Sequence, residues 1–454
     1  MMSKRWTWLF VAFGALWAAS AAAQPEVEEL LDELRGMLPG AAQTLDPAAA
    51  VAAELPRVEA ASGLKAIRPV GARLIDRDGA AAHVAALIDE QVPPARLAAM
   101  EAAWRTLGLL PADGSLRAAI EQLYSSQAGG FYDPKAGEMV LLEDLPAMFA
   151  PSVLRHELVH ALQDQTWGLG AWLGDAALDE DRAAARQAVL EGHAVSMANR
   201  VHLTESGLGA VLADGGAESL AELLGVEPSE VRELAELGDS ATLGADSGSL
   251  LPAGTPPALA AQLLFPYSTG AAFVGGYLRA HPADVAGRAL FDRPPETTAE
   301  VLDPARWSAG FQATLAQPGT FLPDYSAVYD SALGRLLCWV LLTGQADPSA
   351  GDPFGGRWGV PDRDRSVVLG SGWRGDRVVV YEDPAPTPGT SVPDSQILVW
   401  VSDWRDDDEA RRVAAAASRR IRQGHWNRRG SRLIYVSGVP PDERAAALAA
   451  VLGW

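Results

Sequence analysis

A chain of 454 residues, 48% hydrophobic and 21% charged, has ordinary globular composition and room for two or three domains of ~100–200 residues. Its formal net charge of −21 argues against DNA or RNA as a partner and against unaided docking onto anionic lipid, because both need a basic surface. The one cysteine, Cys338, excludes an internal disulfide and any cysteine-based zinc site.

The N-terminus carries Lys4 and Arg5, an apolar run from Trp6 to Ala19, and Ala21-Ala22-Ala23 before Gln24. A basic start, a short apolar stretch and small residues at a cleavage position predict a signal peptide over residues 1–23. The run is shorter than the ~20 residues that span a bilayer. The expectation is therefore an exported protein, in the periplasm or the medium, with no stable membrane anchor. Val27, Leu30, Leu31, Leu34 and Leu38 recur at helical spacing. An Ala/Pro-rich stretch then reads as a linker to about Ser62, so residues 24–62 form an N-terminal helix and linker.

A catalytic domain is expected over 63–320. It opens with a strand in KAIRPVGARLI, followed by helices around His83–Glu90, Pro94–Leu107 and Leu116–Tyr124. Phe131-Tyr132 and Met139–Leu142 flank Asp133-Pro134-Lys135-Ala136-Gly137, whose turn chemistry predicts a hairpin. A helix starts near Pro151, where a missing N–H does no harm. An acidic loop, Gly174–Asp181, leads into a long Ala-rich helix from about Arg182 to Val201. Residues 209–257 read as a surface excursion with a helix at Pro228–Leu237, and helices resume at Ala258–Leu264 and Gly270–Arg279. Residues 321–454 form a second module. It has an apolar helix around Cys338, strands at Arg377–Tyr381, Ile397–Val401 and Leu433–Val436, and helices at Asp407–Ile421 and Pro441–Leu452. The fold class is α+β: a mostly helical domain with a small sheet, then an α+β module.

The chemistry lies in His156-Glu157-Leu158-Val159-His160, an HExxH motif. On a helix, positions i and i+4 share a face, so both imidazoles can aim at one ion. Glu157 sits about 100° around and can reach a water on that ion without ligating it. Leu154, Leu158 and Leu162 form a separate stripe that packs inward. Zinc held by two histidines needs a third protein ligand and keeps a position open for water. The candidates are Asp164, the acidic loop, Glu191 and His193. Glu191 is preferred. It lies far enough along for the chain to turn and return on a second helix, and Ala184, Ala188 and Ala194 leave its face bare of bulk. Gly192 costs that helix about 1 kcal/mol relative to Ala, which makes sense where two backbones must approach closely. Asp164 shares the face of His160 and is a candidate hydrogen-bond partner for a ligand histidine.

HELVHALQDQ followed by LEGHA resembles the gluzincin branch of zincin metallopeptidases, and more closely an uncharacterised group of exported bacterial HExxH proteins. The resemblance also takes in LGLLP, AGGFYDPKAGEMVLL, LLFPYSTGAAFV, RPPETTAEVLDP and GWRGDR, covering roughly residues 65–310 and parts of the C-terminal module. It implies a zincin-like domain, Zn2+ as cofactor, His156, His160 and Glu191 as ligands, Glu157 as catalytic base, and a peptide or protein as substrate. It also implies that Met139–Leu142 is an edge strand to which substrate backbone pairs. Thermolysin-like members carry an aspartate one turn after the third ligand, where this chain has Val195, so support for the zinc histidines comes from elsewhere. The class with a third histidine ligand is excluded by Thr166.

Amide hydrolysis also needs a donor to the tetrahedral oxyanion. Tyr267 is a candidate, with His193, His202 and Tyr132 behind it. Asp175, Asp179, Glu180 and Asp181 lack an EF-hand register, and a helix N-cap role for Asp179 or Asp181 fits them better than calcium. Trp373, Trp400, Trp404 and Trp426 suit core packing more simply than carbohydrate binding. The expected function is an exported zinc-dependent hydrolase, a peptidase by resemblance. The alternative is a zinc-binding but non-catalytic assembly or binding protein of the cell envelope.

Overall fold

The structure, a computed structural model, describes residues 46–127, 129–145, 150–173, 179–205, 251–252, 254–314, 325–344, 371–382, 396–421 and 423–439. The expected signal peptide, the helix at 27–38, the excursion helix and the last helix lie outside these residues. The class is α+β, with two sheets.

The first described element corrects the linker reading. Pro47–Ser62 is a helix, α1. Asp46 caps it, its side chain accepting from the Ala48 and Ala49 amides, Pro47 fills the first turn, and Gly63 ends it at φ 68°. Val51, Glu54, Val58 and Ser62 form its buried stripe, while Pro56 lies on the exposed side. The alanines favour helix strongly enough to carry one proline.

β1 (Gly71–Ile75), α2 (Arg77–Gln91), α3 (Pro94–Leu107) and α4 (Leu116–Gln127) follow, then the expected hairpin of β2 (Gly130–Asp133) and β3 (Glu138–Leu142). The sheet order is β1-β3-β2, with β1 parallel and β2 antiparallel to β3. Met139–Leu142 is thus the central strand, not the edge. Both of its sides are paired, so no substrate backbone can add to it. Among the described strands β2 is the free edge beside the motif helix.

That helix, α5 (Ala150–Trp167), buries Leu154, Leu158 and Leu162 as its spacing predicts. Buried Arg155 reaches Glu54 at 2.7 Å, pinning α1 to α5. After α6 (Leu169–Leu173), the long helix α7 (Glu180–Glu205) crosses α5. α8 (Pro257–Phe265) and α9 (Ala271–Ala280) are joined by a π turn, Pro266–Gly270. Pro266 has no N–H to continue the α pattern, and the chain widens there. Three short helices, α10 (Arg288–Asp292), α11 (Thr298–Leu302) and α12 (Pro304–Ser308), close this half.

The C-terminal half is an antiparallel sheet of order β4-β5-β6-β8-β7. Its strands are β4 (Ser326–Ser331), β5 (Trp373–Glu382), β6 (Gln396–Trp404), β7 (His425–Arg429) and β8 (Arg432–Ser437). The helices α13 (Gly334–Thr343) and α14 (Asp407–Ala417) pack on it. Val378, Val380, Leu398, Trp400, Leu433 and Tyr435 face the main core, and their alternates Val379, Tyr381, Ile397, Val399, Ile434 and Val436 form a second apolar cluster. One cluster runs from Leu158 and Leu190 through Leu336 and Val340 to Trp373 and Trp400, so the expected boundary near 320 is not a break in the core.

Candidate metal centre

α5 presents the two histidines and α7 brings in the carboxylate. Oε2 of Glu191 lies 3.0 Å from His156 Nε2 and 3.2 Å from His160 Nε2, and the two Nε2 atoms are 3.0 Å apart. Two ligands at ~2.0–2.1 Å from a tetrahedral ion stand about 3.3 Å apart, so the triangle has the dimensions of three corners of such a site. Among the described residues, His156, His160 and Glu191 are the group of His, Cys, Asp and Glu side chains able to hold a metal ion. All three are buried.

Close helix packing brings Glu191 here. A Cβ on Gly192 would fall 2.3 Å from the Gly270 carbonyl oxygen, and one on Gly270 would fall 2.4 Å from that of Ala188. The reason expected for a glycine inside this helix is met by the backbone of the π turn. The same turn sets Tyr267 against His156, with ring centroids 6.0 Å apart.

Glu157 is fully buried. Its Oε2 accepts from the Tyr132 backbone N–H of β2 at 2.7 Å, and its Oε1 has no hydrogen-bond partner. Burial raises its pKa, offset in part by the two histidines. At His160, burial would lower the pKa, but the Glu191 carboxylate, Glu157 and Gln163 together outweigh it and hold the imidazolium up to about 9. Burial would likewise raise Glu191, yet the histidines pull it down to about 2. Three lone-pair atoms thus converge on one point and retain a proton there when no cation is present. This donor set fits a divalent metal.

Two glutamines that motif reasoning missed orient the side chains of this triangle. Gln163 Oε1 meets His160 Nδ1 at 2.7 Å, and Gln187 Nε2 donates to Glu191 Oε1 at 2.6 Å. Asp164 does not contact either histidine. It accepts from the Tyr132 hydroxyl at 3.0 Å and the Leu169 amide at 3.0 Å, which also commits the Tyr132 hydroxyl elsewhere. His193 is not in the metal triangle; its Nδ1 meets Gln163 Nε2 at 3.0 Å, and burial is the largest of the effects that push its pKa down to about 3. His202 is exposed near the end of α7.

The acidic cluster is structural. Asp179 Oδ1 accepts from the Arg182 amide at 3.1 Å as the cap of α7, Glu180 meets the Tyr329 hydroxyl, and Asp181 accepts from the Thr298 amide at 2.9 Å. Asp175 lies outside the described residues. Trp373, Trp400 and Trp404 are buried, and half-buried Trp426 stacks edge-on against Trp400, so these rings do not form a carbohydrate platform. Cys338 is a buried free thiol, pushed up by burial.

Residues 324–450, which include the five-stranded sheet, match a domain family of unknown function (DUF8575). No curated protein and no solved structure gives a significant match to the chain.

Proposed function

We propose that the chain is an exported zinc-dependent hydrolase that cleaves peptide bonds, with His156, His160 and Glu191 as zinc ligands and Glu157 as general base. The observation that carries this reading is the convergence of His156 Nε2, His160 Nε2 and Glu191 Oε2 next to a buried carboxylate with one uncommitted oxygen. A site that only held a metal would have no need of Glu157, whose burial without a counter-charge of its own is costly. Export rests on residues 1–23, and the choice of a peptide bond rests on the resemblance of HELVHALQDQ and LEGHA to gluzincins. No described helix is long and apolar enough to cross a membrane.

When bound, zinc supplies a water whose pKa falls towards ~7 and polarises the substrate carbonyl. The Tyr132 amide holds Glu157 Oε2, leaving Oε1 to take a proton and pass it to the leaving amine. Burial raises the Glu157 pKa, which makes its carboxylate a stronger base. Tyr267, beside His156, is the candidate hydroxyl donor to the developing oxyanion.

Metal analysis of the purified chain, with Glu157→Gln assayed on a broad peptide library, tests the reading. The expected result is one zinc per chain in both proteins and cleavage slower by at least ~100-fold in the variant. Zinc without Glu157-dependent cleavage would favour a non-catalytic zinc protein of the cell envelope. A chain that takes up no zinc would overturn the proposal.

A further inference from the structure

We infer that Gln163 is the positioning residue that prepares His160 as a ligand, by fixing which imidazole nitrogen carries the proton. The inference rests on the zinc reading and adds a residue that no motif contains.

Gln163 is completely buried and sits one turn after His160 on α5. Its amide makes three hydrogen bonds. Nε2 lies 3.0 Å from the Leu190 carbonyl oxygen and 3.0 Å from His193 Nδ1, and Oε1 lies 2.7 Å from His160 Nδ1. A backbone carbonyl can only accept, so the NH2 end of the amide faces Leu190. The oxygen end then faces His160, whose Nδ1 must donate to it. A neutral imidazole that donates from Nδ1 leaves a lone pair on Nε2, the atom aimed at Glu191 and His156. By the same logic His193 accepts at Nδ1 and carries its proton on Nε2. One amide therefore orients the second histidine and ties it to the backbone of Leu190, the neighbour of the third ligand.

Zinc affinity of the full chain, titrated against a chromophoric chelator, reads the effect. Gln163→Leu should bind zinc about 10–100-fold more weakly, the range for loss of a group that orients a ligand histidine. Gln163→Glu keeps an acceptor for His160 Nδ1 but cannot donate to Leu190, so it should recover most of the affinity. A merely structural tie between α5 and α7 predicts equal losses in both. Equal losses, or wild-type affinity in Gln163→Leu, would overturn the inference. Should either variant fold poorly, the wild-type chain still decides. Imidazole 15N–1H correlation spectra should show His193 protonated on Nε2, with or without metal. A proton on His193 Nδ1 would mean the amide is reversed, and would sink the role of Gln163. Failure of the wild-type chain to bind zinc would instead sink the zinc reading, and the ligand-preparing role of Gln163 with it.

Discussion

On the zinc reading proposed above, the cation-free triangle keeps a proton that zinc would displace, and a pH dependence follows. Glu191 is held down to about 2, so it is ionised throughout the neutral range and releases nothing. His160, held up to about 9 against burial by that carboxylate together with Glu157 and Gln163, keeps its proton below that pH. Zinc binding near pH 7 should therefore release about one proton from His160, and apparent affinity should climb about tenfold per pH unit until it flattens near pH 9. Calorimetry in buffers of different ionisation enthalpy counts the proton directly, and zero release at pH 7 would contradict the raised His160 pKa. Much of this was legible from residue types alone. The spacing of His156 and His160, the bare helical face around Glu191 and the glycine beside it all point to a site on two close helices. Gln163 and Gln187 were not legible, because a glutamine has no preferred role in a motif and acquires one only when a second helix supplies its partners. Asp164 shares the face of His160 but is taken by Tyr132 and Leu169.

Elements that reach the core on a regular spacing were read well. Pro94–Leu107 agrees with its helix, and the hairpin, the motif helix and the central strands β5, β6 and β8 fall where apolar periodicity put them. The two missed strands share a cause. β4 (SAVYDS) and β7 (HWNRR) are the two edges of their sheet, and edge strands carry polar and charged residues that hide the alternation. α1 was masked by its prolines, although its buried stripe is visible at helical spacing once α5 is present to receive it. Position in the sheet was also beyond the local sequence, since β3 became central through β1, whose pairing spans more than sixty residues. The packing of α7 on the π turn gives a test at this scale. On an open helix, Gly192→Ala would stabilise by about 1 kcal/mol. Here the added methyl meets the Gly270 carbonyl carbon and oxygen at 2.4 and 2.3 Å, so the helices must part. Chemical denaturation should show a net loss of about 1–3 kcal/mol. Weaker zinc binding should accompany it, because Glu191 adjoins the contact. A stabilised variant would mean that α7 and the π turn do not touch.

Across the whole molecule, the C-terminal half grips the start of the helix that carries Glu191. Ser331 Oγ accepts from the Glu180 amide at 2.9 Å, Tyr329 meets the Glu180 carboxyl, and Gly334 leaves room for Asp181 where a Cβ would fall 1.8 Å from its Oδ1. Asp376 braces the same corner by accepting from the Leu333 and Gly334 amides and from the Trp373 and Trp400 indoles. The sheet matched by the family of unknown function is thus part of the frame of the candidate metal centre. Burial, offset in part by the Tyr329 hydroxyl, Arg96 and Trp104, pushes the Glu180 carboxyl up from 4.5 to about 7. Between these values the folded chain keeps a proton that the unfolded chain has released. Stability from this group is therefore complete below about pH 4.5 and is lost as pH rises through 7, a change of order 3 kcal/mol. Glu180→Gln removes that titration while keeping an acceptor for Tyr329 or Trp104. Urea unfolding in the presence of a chelator, so that zinc adds no pH dependence of its own, should show wild-type stability falling from pH 5 to pH 8. The His160–Glu191 pair is present in both proteins, so its contribution cancels in the comparison. The variant should fall less over that interval. Parallel curves for the two proteins would mean that Glu180 is ionised in the folded state, and that the grip on α7 does not depend on a proton held between the two halves.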